Sequence, residues 1–154
     1  SNLFMGYTHV AHDCIVHNDV IMANGATLGG HVEVEDRVTL GGMVGVHQFI
    51  RIGAFSFVGG VSGITKDIPP YMIVADSRDQ MRVSGINKIG LKRFGFDNEA
   101  IKLLYKAYKI IFKSPDLLLK EALEKTLEEI PDCEPVSNLV NFFKTSSRNV
   151  VRKS

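Results

Sequence analysis

Apolar residues recur at every sixth position through the first part of the chain. Positions two before them are mostly small or β-branched, and positions two after them are rich in residues that tolerate turns and left-handed backbone. Alternating strands of an ordinary sheet would repeat with period two and would not keep phase over eleven hexads. The apolar column consists of Phe4, Val10, Val16, Met22, Leu28, Val34, Leu40, Val46, Ile52, Val58 and Ile64.

Three hexads make one coil of 18 residues, with the apolar column filling a triangular prism. Successive coils then stack as parallel strands ~4.8 Å apart. This pattern predicts a β-solenoid over residues 1–76. Because the chain begins at Ser1 and enters the repeat at once, we expect further coils upstream.

Two prolines, Pro69 and Pro70, end the repeat, since proline cannot donate to a strand ladder. We predict an irregular connector over residues 77–86 and a helical domain over residues 87–154, which makes the fold class a β-solenoid plus α.

Helical spacing of apolar residues follows Asp97, a candidate N-cap. Ser114 and Pro115 are typical of a second helix start, Pro131 of its end, and a third helix is predicted to begin near Pro135. The tail is therefore predicted to be a small three-helix bundle.

Composition favours a soluble globular protein, because 45% of the 154 residues are apolar and the net charge is +1. No apolar run reaches the ~18 residues that span a bilayer, and no basic stretch followed by an apolar core opens the chain. Cys14 and Cys133 form no metal-type pair, so we expect reduced thiols. We predict a cytoplasmic protein without nucleic acid partner, membrane insertion or cofactor.

Stacking by 18 residues predicts which polar side chains meet. One column holds His12, Gly30 and Gln48, and the columns on either side of it bring Asp13, His31 and His47 to the same corner. A histidine can act as a general base near neutral pH, and backbone N–H groups at a glycine-bearing corner can bind an oxyanion. These are the components of acyl transfer, although polar residues at solvated corners explain the same pattern.

A zinc site is a second interpretation, because His12 and His17 are five residues apart. This spacing also occurs in γ-class carbonic anhydrases, which are trimeric β-helices that bind zinc through histidines of two subunits. Their remaining ligand lies about two coils upstream, in a region outside this chain. We therefore predict no metal.

The stretch His9-Val10-Ala11-His12-Asp13-Cys14 resembles the UDP-N-acetylglucosamine O-acyltransferases, hexapeptide-repeat enzymes that begin lipid A synthesis. The likeness continues through residues 23–32, 41–43, 46–49 and 69–71, and through Asn87 and residues 90–93. It implies a left-handed parallel β-helix, a homotrimer, and transfer of a 3-hydroxyacyl group from acyl carrier protein to the 3-position of UDP-N-acetylglucosamine.

The resemblance also implies roles for individual residues. His12 matches the general base that takes the proton of the sugar 3-hydroxyl, Asp13 matches the carboxylate that tunes it, and the N–H of Gly30 matches the oxyanion donor. The residues that match those shaping the substrate pocket are His9, His31, His47 and Gln48.

Three further positions match the family at a distance from His12. Gly60 matches the floor of the acyl groove, where glycine implies a longer acyl chain, although a plain corner glycine explains it equally well. Asn87 and Arg93 match nucleotide-contacting residues. Ile89 and Phe94 depart from the acidic residue and the second arginine expected there, which leaves the details of nucleotide recognition open.

A row of lysines follows one face of the first predicted long helix, and it either receives the acidic carrier protein or is a solvated face. It consists of Lys102, Lys106, Lys109 and Lys113. Two alternatives to the leading function stay open: a related N-acyltransferase or 3-amino-sugar enzyme, and an inactive truncated trimeric scaffold. The scaffold alternative arises because family sites form between subunits and use a basic residue upstream of Ser1.

Overall fold

The computed structural model describes residues 1–77, 80–152 and 154. Within the first of these ranges, eleven strands of two residues each alternate with turns. Their bounds are β1 Leu3–Phe4, β2 His9–Val10, β3 Ile15–Val16, β4 Ile21–Met22, β5 Thr27–Leu28, β6 Glu33–Val34, β7 Thr39–Leu40, β8 Gly45–Val46, β9 Arg51–Ile52, β10 Phe57–Val58 and β11 Gly63–Ile64.

The strands build three parallel faces of a prism. Face A contains β1, β4, β7 and β10, face B contains β2, β5, β8 and β11, and face C contains β3, β6 and β9. Neighbours pair with an offset of 18 residues, as in His9 with Thr27 and Thr27 with Gly45. The predicted 18-residue coil and the left-handed parallel β-helix are confirmed.

Both predicted inward columns are buried once coils lie on both sides. Leu28, Leu40 and Ile52 of the main column are at most 1% exposed, and Val32 and Val38 of the second column are fully buried. At the first coil the same column is open, with Phe4 45% exposed.

Most corners place a residue other than glycine in the left-handed region. This residue comes three positions after each residue of the main apolar column, one position later than predicted for the corner. Its φ is 60° at Asp13, 59° at His31 and 66° at Phe49. Such a conformation costs an L-residue about 1–2 kcal/mol. Each upper corner offsets this with a hydrogen bond to the coil below, as from His31 N to His12 O at 3.0 Å and from Phe49 N to Gly30 O at 3.0 Å.

The prism continues into a β-hairpin. Strand β12, Met72–Ser77, pairs parallel with β10 and antiparallel with β13, Gln80–Ile86. The prediction of an irregular connector is wrong for residues 80–86, because they form strand β13. The Val83 side chain of this strand packs in the core and is only 1% exposed. Residues 78 and 79 of that predicted connector lie outside the described residues.

The described tail has four helices rather than the predicted three: α1 Lys88–Arg93, α2 Asn98–Phe112, α3 Leu119–Glu129 and α4 Glu134–Thr145. Six residues of α1 are too few for a periodic pattern to predict. Asp97 caps α2 as predicted, accepting from Ala100 N at 2.8 Å. Ser114 does not cap α3, which begins after Leu118, where Glu121 accepts from the Leu118 N–H at 3.1 Å. Pro135 lies in the first turn of α4 as predicted.

The tail is fastened to face C by Arg51. Its Nε and Nη2 donate to Glu35 at 3.0 and 2.9 Å, and its Nη1 donates to the Thr145 hydroxyl at 2.8 Å. The guanidinium carbon also lies 4.3 Å from the centroid of the Phe142 ring. One arginine therefore joins the prism to the end of α4. None of the described helices is long and apolar enough to cross a membrane.

Candidate active site

The corner between faces B and C carries the histidine cluster predicted from the 18-residue stacking. His12 and Asp13 form the turn after β2, and His31 occupies the same corner one coil above. The Nδ1 atom of His12 lies 2.9 Å from Asp13 Oδ2, and Nε2 of His31 lies 3.6 Å from the same oxygen. One carboxylate oxygen therefore faces both imidazoles.

Aromatic contacts extend this cluster up the corner. The rings of His12 and His31 meet edge to face at 5.1 Å, and the ring of His31 lies parallel to that of Phe49, with centroids 4.6 Å apart. The side chain of His31 is 42% exposed and that of His12 is 74% exposed. His31 is thus held between two neighbours while His12 reaches into open space.

Asp13 is an anion at neutral pH. The hydrogen bond with His12 lowers the pKa of its carboxyl below the ordinary value of 3.8, and the charge of the nearby His31 acts in the same direction. An ionised carboxylate only accepts hydrogen bonds, so Nδ1 of His12 is the donor. In the neutral imidazole this assignment leaves the lone pair on Nε2, the atom that a general base needs.

Gly30 lies directly against the His12 ring. A Cβ atom at this position would be 2.8 Å from both Cε1 and Nε2 of His12, closer than side chains tolerate. Among the described residues, none accepts a hydrogen bond from the Gly30 N–H. A free backbone donor therefore lies one coil above the candidate base, as an oxyanion site requires.

Face B forms a trough beside this corner. Its cavity of about 500 Å³ is lined mainly by small side chains and by two of the predicted pocket residues, His9 and His47. Gln48 follows His47 at the next position and is exposed at the corner itself. The column spacing predicted His47 and Gln48 at this corner, whereas His9 was expected there only from the family resemblance. A ligand in the trough would meet His9 and His47.

A metal could be held by His12, Asp13 and His31, whose ligand atoms lie within 4.8 Å of one another. All three residues are exposed. The pairing of His12 with His17 considered for zinc does not form, because His17 Nε2 instead contacts Glu33 Oε1 at 3.0 Å on face C. The same cluster, in which one carboxylate lies between two histidines, fits a general base as well as it fits a metal site.

Comparisons with known proteins identify the family of this chain. Residues 67–151 match the family described as UDP-N-acetylglucosamine O-acyltransferase, domain 2. This chain belongs to that family. It is 43% identical over 98% of its length to the acyl-(acyl-carrier-protein)–UDP-N-acetylglucosamine O-acyltransferase of Burkholderia orbicola, and 46% identical over 97% to that of Nautilia profundicola. It spans 58% and 56% of those two relatives.

Solved structures show the same likeness. The chain matches the UDP-N-acetylglucosamine acyltransferase from Arabidopsis with a TM-score of 0.92 and 38% identity, over 99% of this chain and 55% of that one. The enzyme from Bacteroides fragilis matches with a TM-score of 0.93 and 38% identity, over 99% of this chain and 58% of that one. The solenoid and the helical tail are thus both features of the acyltransferase family.

The remaining residues predicted from the family lie elsewhere in the chain. Gly60 is at the corner between faces A and B, where an added Cβ would meet Gly42 O at 3.1 Å. Asn87 caps α1 and donates to Phe55 O at 2.9 Å, at the corner between faces C and A. Arg93 is exposed at the end of α1. Asn87 and Arg93 therefore do not meet His12 within one chain.

A second cavity, of about 530 Å³, lies in the tail between β13, α1 and α2. It is larger than the trough, but its lining combines Lys88, Lys92 and Lys102 with apolar groups and offers no acid–base pair. The acid–base groups of the His12 corner, rather than cavity size, therefore make that corner the candidate active site.

Two residues of this corner were given no role by the sequence. Phe49 stacks in the column of Asp13 and His31, but a phenyl ring offers no acid–base chemistry that would select it. Arg148, whose guanidinium carbon lies 5.6 Å from the Phe49 centroid, comes from beyond α4. No repeat connects residue 148 to the prism, so the sequence carries no signal for this contact.

Proposed function

We propose that this protein transfers a 3-hydroxyacyl group from acyl carrier protein to the 3-hydroxyl of UDP-N-acetylglucosamine, the first step of lipid A synthesis, with His12 as general base. One observation carries the proposal: His12 is oriented through Nδ1 by an ionised Asp13, while its Nε2 lies beside Gly30, whose N–H is free. The named relatives of the family act on these two substrates.

The reaction begins when Nε2 of His12 takes the proton of the sugar 3-hydroxyl. The oxygen then attacks the thioester carbonyl carbon, and the electron pair of the C=O bond moves onto oxygen. The N–H of Gly30 stabilises this oxyanion, a contribution worth several kcal/mol for one well-placed donor. Collapse of the intermediate breaks the C–S bond, and the imidazolium returns its proton to the thiolate of the carrier protein.

Asp13 has two roles in this scheme. It fixes the tautomer of His12 by accepting from Nδ1, and its charge stabilises the imidazolium that forms during attack. Around it, His9, His31, His47 and Gln48 hold the sugar and the acyl carbonyl. The acyl chain follows the trough of face B towards Gly60, where the absence of a side chain admits a longer chain.

The nucleotide is held by a neighbouring copy in this proposal. Asn87 and Arg93 lie at a different corner from His12, so they join the same site only across a contact between chains. A homotrimer, which the family resemblance implied, supplies this contact at each of its three sites. An arginine suits a diphosphate because its guanidinium forms paired, charge-assisted hydrogen bonds.

The carrier protein docks on the lysine row of α2. Lys102, Lys106 and Lys109 are exposed, whereas Ile101, Leu104 and Tyr108 of the same helix are buried. Lys113 continues the row at the end of the helix and is also exposed. A basic face of this kind attracts an acidic partner over long range. Cytoplasmic location remains part of the proposal, since both substrates belong to that compartment.

Acyl transfer from an acylated carrier protein to UDP-N-acetylglucosamine tests the proposal directly. In the protein at its full natural length, His12→Ala should lower kcat by about 10²- to 10⁴-fold. His17→Ala is the matched control, because His17 lies on face C against Glu33, and its activity should stay near wild type. Equal activity of His12→Ala and His17→Ala would remove His12 as the base.

Two further experiments test the alternative functions, the N-acyltransferase and the inactive scaffold. A 3-amino analogue of the acceptor that is acylated faster than the 3-hydroxy sugar would favour the N-acyltransferase. The 154-residue chain assayed alone addresses the scaffold alternative: we expect trimers with little or no turnover, and robust turnover would contradict that expectation.

A further inference from the structure

The corner that carries the candidate base ends at a buried carboxylate. Asp67 follows Asp13, His31 and Phe49 in the same 18-residue column, and it is 2% exposed. Its Oδ1 accepts from the Arg51 N–H at 2.9 Å, and its Oδ2 contacts the hydroxyl of Ser146 in the segment after α4. The top of the corner is therefore bound to the tail.

This segment is fixed on both sides of Arg148. Asp67 N donates to Asn149 O at 2.9 Å, and Val151 N donates to Asp67 O at 2.9 Å. The Ser146 hydroxyl also lies 2.7 Å from the carbonyl oxygen of Arg148. Because these contacts fix the backbone around residue 148, the Arg148 side chain begins from a defined position beside the corner.

From that position Arg148 begins a series of contacts that reaches the base. Its guanidinium carbon lies 5.6 Å from the Phe49 centroid, within the range of a cation–π interaction. Phe49 is stacked on His31 at an angle of 8°, and His31 meets His12 at 88°. One cation–π contact and two ring contacts thus connect the tail to His12.

A recess leaves room for these rings to move. A cavity of about 370 Å³ lies between prism and tail, with His31 and Phe49 on one side and Thr145 and Ser147 on the other. Phe49 is 48% exposed, so packing alone does not fix its ring. The guanidinium of Arg148 is a further contact of this exposed ring.

We infer that Arg148 is a positioning residue of the candidate active site: it holds Phe49 against His31 and so lets the tail set the orientation of the imidazole that faces Asp13 and His12. The effect on turnover rests on the proposed acyl transfer, whereas the effect on His31 geometry does not. Arg148 need not touch either substrate for this role.

The test measures both effects in the protein at its full natural length. The His31 Cε1–H signal in an NMR spectrum reports the ring current of Phe49, so Arg148→Met should move it, and Phe49→Leu should move it furthest. The same Arg148→Met change should lower kcat/KM by about two- to fivefold, the equivalent of one cation–π contact. Arg148→Lys keeps a cation and should recover most of both values.

Arg152→Met is the matched control. This arginine belongs to the same segment, but it donates to Ile111 O and Leu117 O and has no contact with Phe49. It should leave the His31 signal in place. The inference would be overturned if the His31 signal did not move in Arg148→Met, or if Arg152→Met moved it equally. It would also be overturned if the signal moved in Arg148→Met while kcat/KM stayed unchanged. If the wild-type protein transfers no acyl group, the proposed function fails, and the His31 signal alone decides the positioning role.

Discussion

The carboxylate of Asp13 contacts the imidazole of the residue directly before it, with 2.9 Å between His12 Nδ1 and Asp13 Oδ2. Adjacent side chains of an extended strand point to opposite faces. Here the left-handed conformation of Asp13, with φ 60°, turns the chain so that the two side chains meet. A corner of the solenoid thus forms a base and its orienting group from two consecutive residues.

Removing His12 should change the titration of Asp13. Because the hydrogen bond from His12 is the largest cause of the lowered pKa, His12→Ala should raise the pKa of Asp13 towards the ordinary value of 3.8. In the folded wild type, the stability contributed by the ionised Asp13 carboxylate is fully present above 3.8 and is lost as the pH falls through the lowered pKa. A ¹³C NMR titration of the Asp13 carboxyl measures the shift. His17→Ala serves as the control, and an equal shift there would contradict the assignment.

Gly30→Ala should abolish most activity at little cost in stability. The added methyl group would lie 2.8 Å from the His12 ring, and the exposed ring would move away from the corner. Displacing a catalytic group by about 1 Å can cost about 10²-fold in rate, whereas moving an exposed side chain costs under about 1 kcal/mol. Transfer kinetics and urea unfolding measure the two effects.

Gly42→Ala provides the comparison for Gly30→Ala. An added methyl group at Gly42 meets nothing closer than Asn24 O at 3.5 Å, an ordinary contact. Full activity in Gly30→Ala would show that the His12 ring tolerates the displacement, and the geometric requirement for glycine would be wrong.

Gly53→Ala should destabilise the upper prism. Its methyl group would lie 2.4 Å from the backbone nitrogen of Pro70, which cannot move aside as a flexible side chain can. Overpacking of this kind costs about 1–3 kcal/mol in the free energy of unfolding. Urea unfolding should reveal this loss, while Gly6→Ala, with its nearest atom Asn24 Nδ2 at 3.6 Å, should change little.

Arg51→Met should loosen the tail from the prism. The substitution removes the contacts with Glu35 and Thr145 and leaves a carboxylate without its cation, a loss of about 2 kcal/mol. Arg37 gives the comparison, since its ion pair with Asp19 is longer, at 3.5 Å, and both side chains are about 40% exposed. Arg37→Met should cost under about 1 kcal/mol. Equal unfolding free energies in the two variants would contradict the role of Arg51 in joining the tail to the prism.

The features that the sequence predicted depend on local periodicity. Six-residue spacing determines which side chains point inward, and 18-residue spacing determines that His12 and Gly30 are neighbours, so both follow from counting. The helix cap at Asp97 is equally local. The positions of Asn87 and Arg93 were predicted only by resemblance, and their roles remain predictions.

The features that the sequence did not predict depend on contacts between distant segments. Strand β13 exists because Val83 packs into the core and its backbone pairs with β12, neither of which appears in a short pattern. Arg148 reaches Phe49 because Asp67 binds the tail through Ser146 and Val151. These two residues lie 79 and 84 positions after Asp67 in the sequence. Sequence separation of that length leaves no periodic signal.

The offset of 18 residues between coils also sets which changes in length the prism can accept. One residue added within a strand between Asp13 and His31 would turn the next coil by one position and separate the two side chains. A loop extruded at a corner, or a whole coil added below His12, would keep every vertical neighbour in place. The prism can therefore gain or lose whole coils below His12 while the residues stacked at the His12 corner keep the same neighbours.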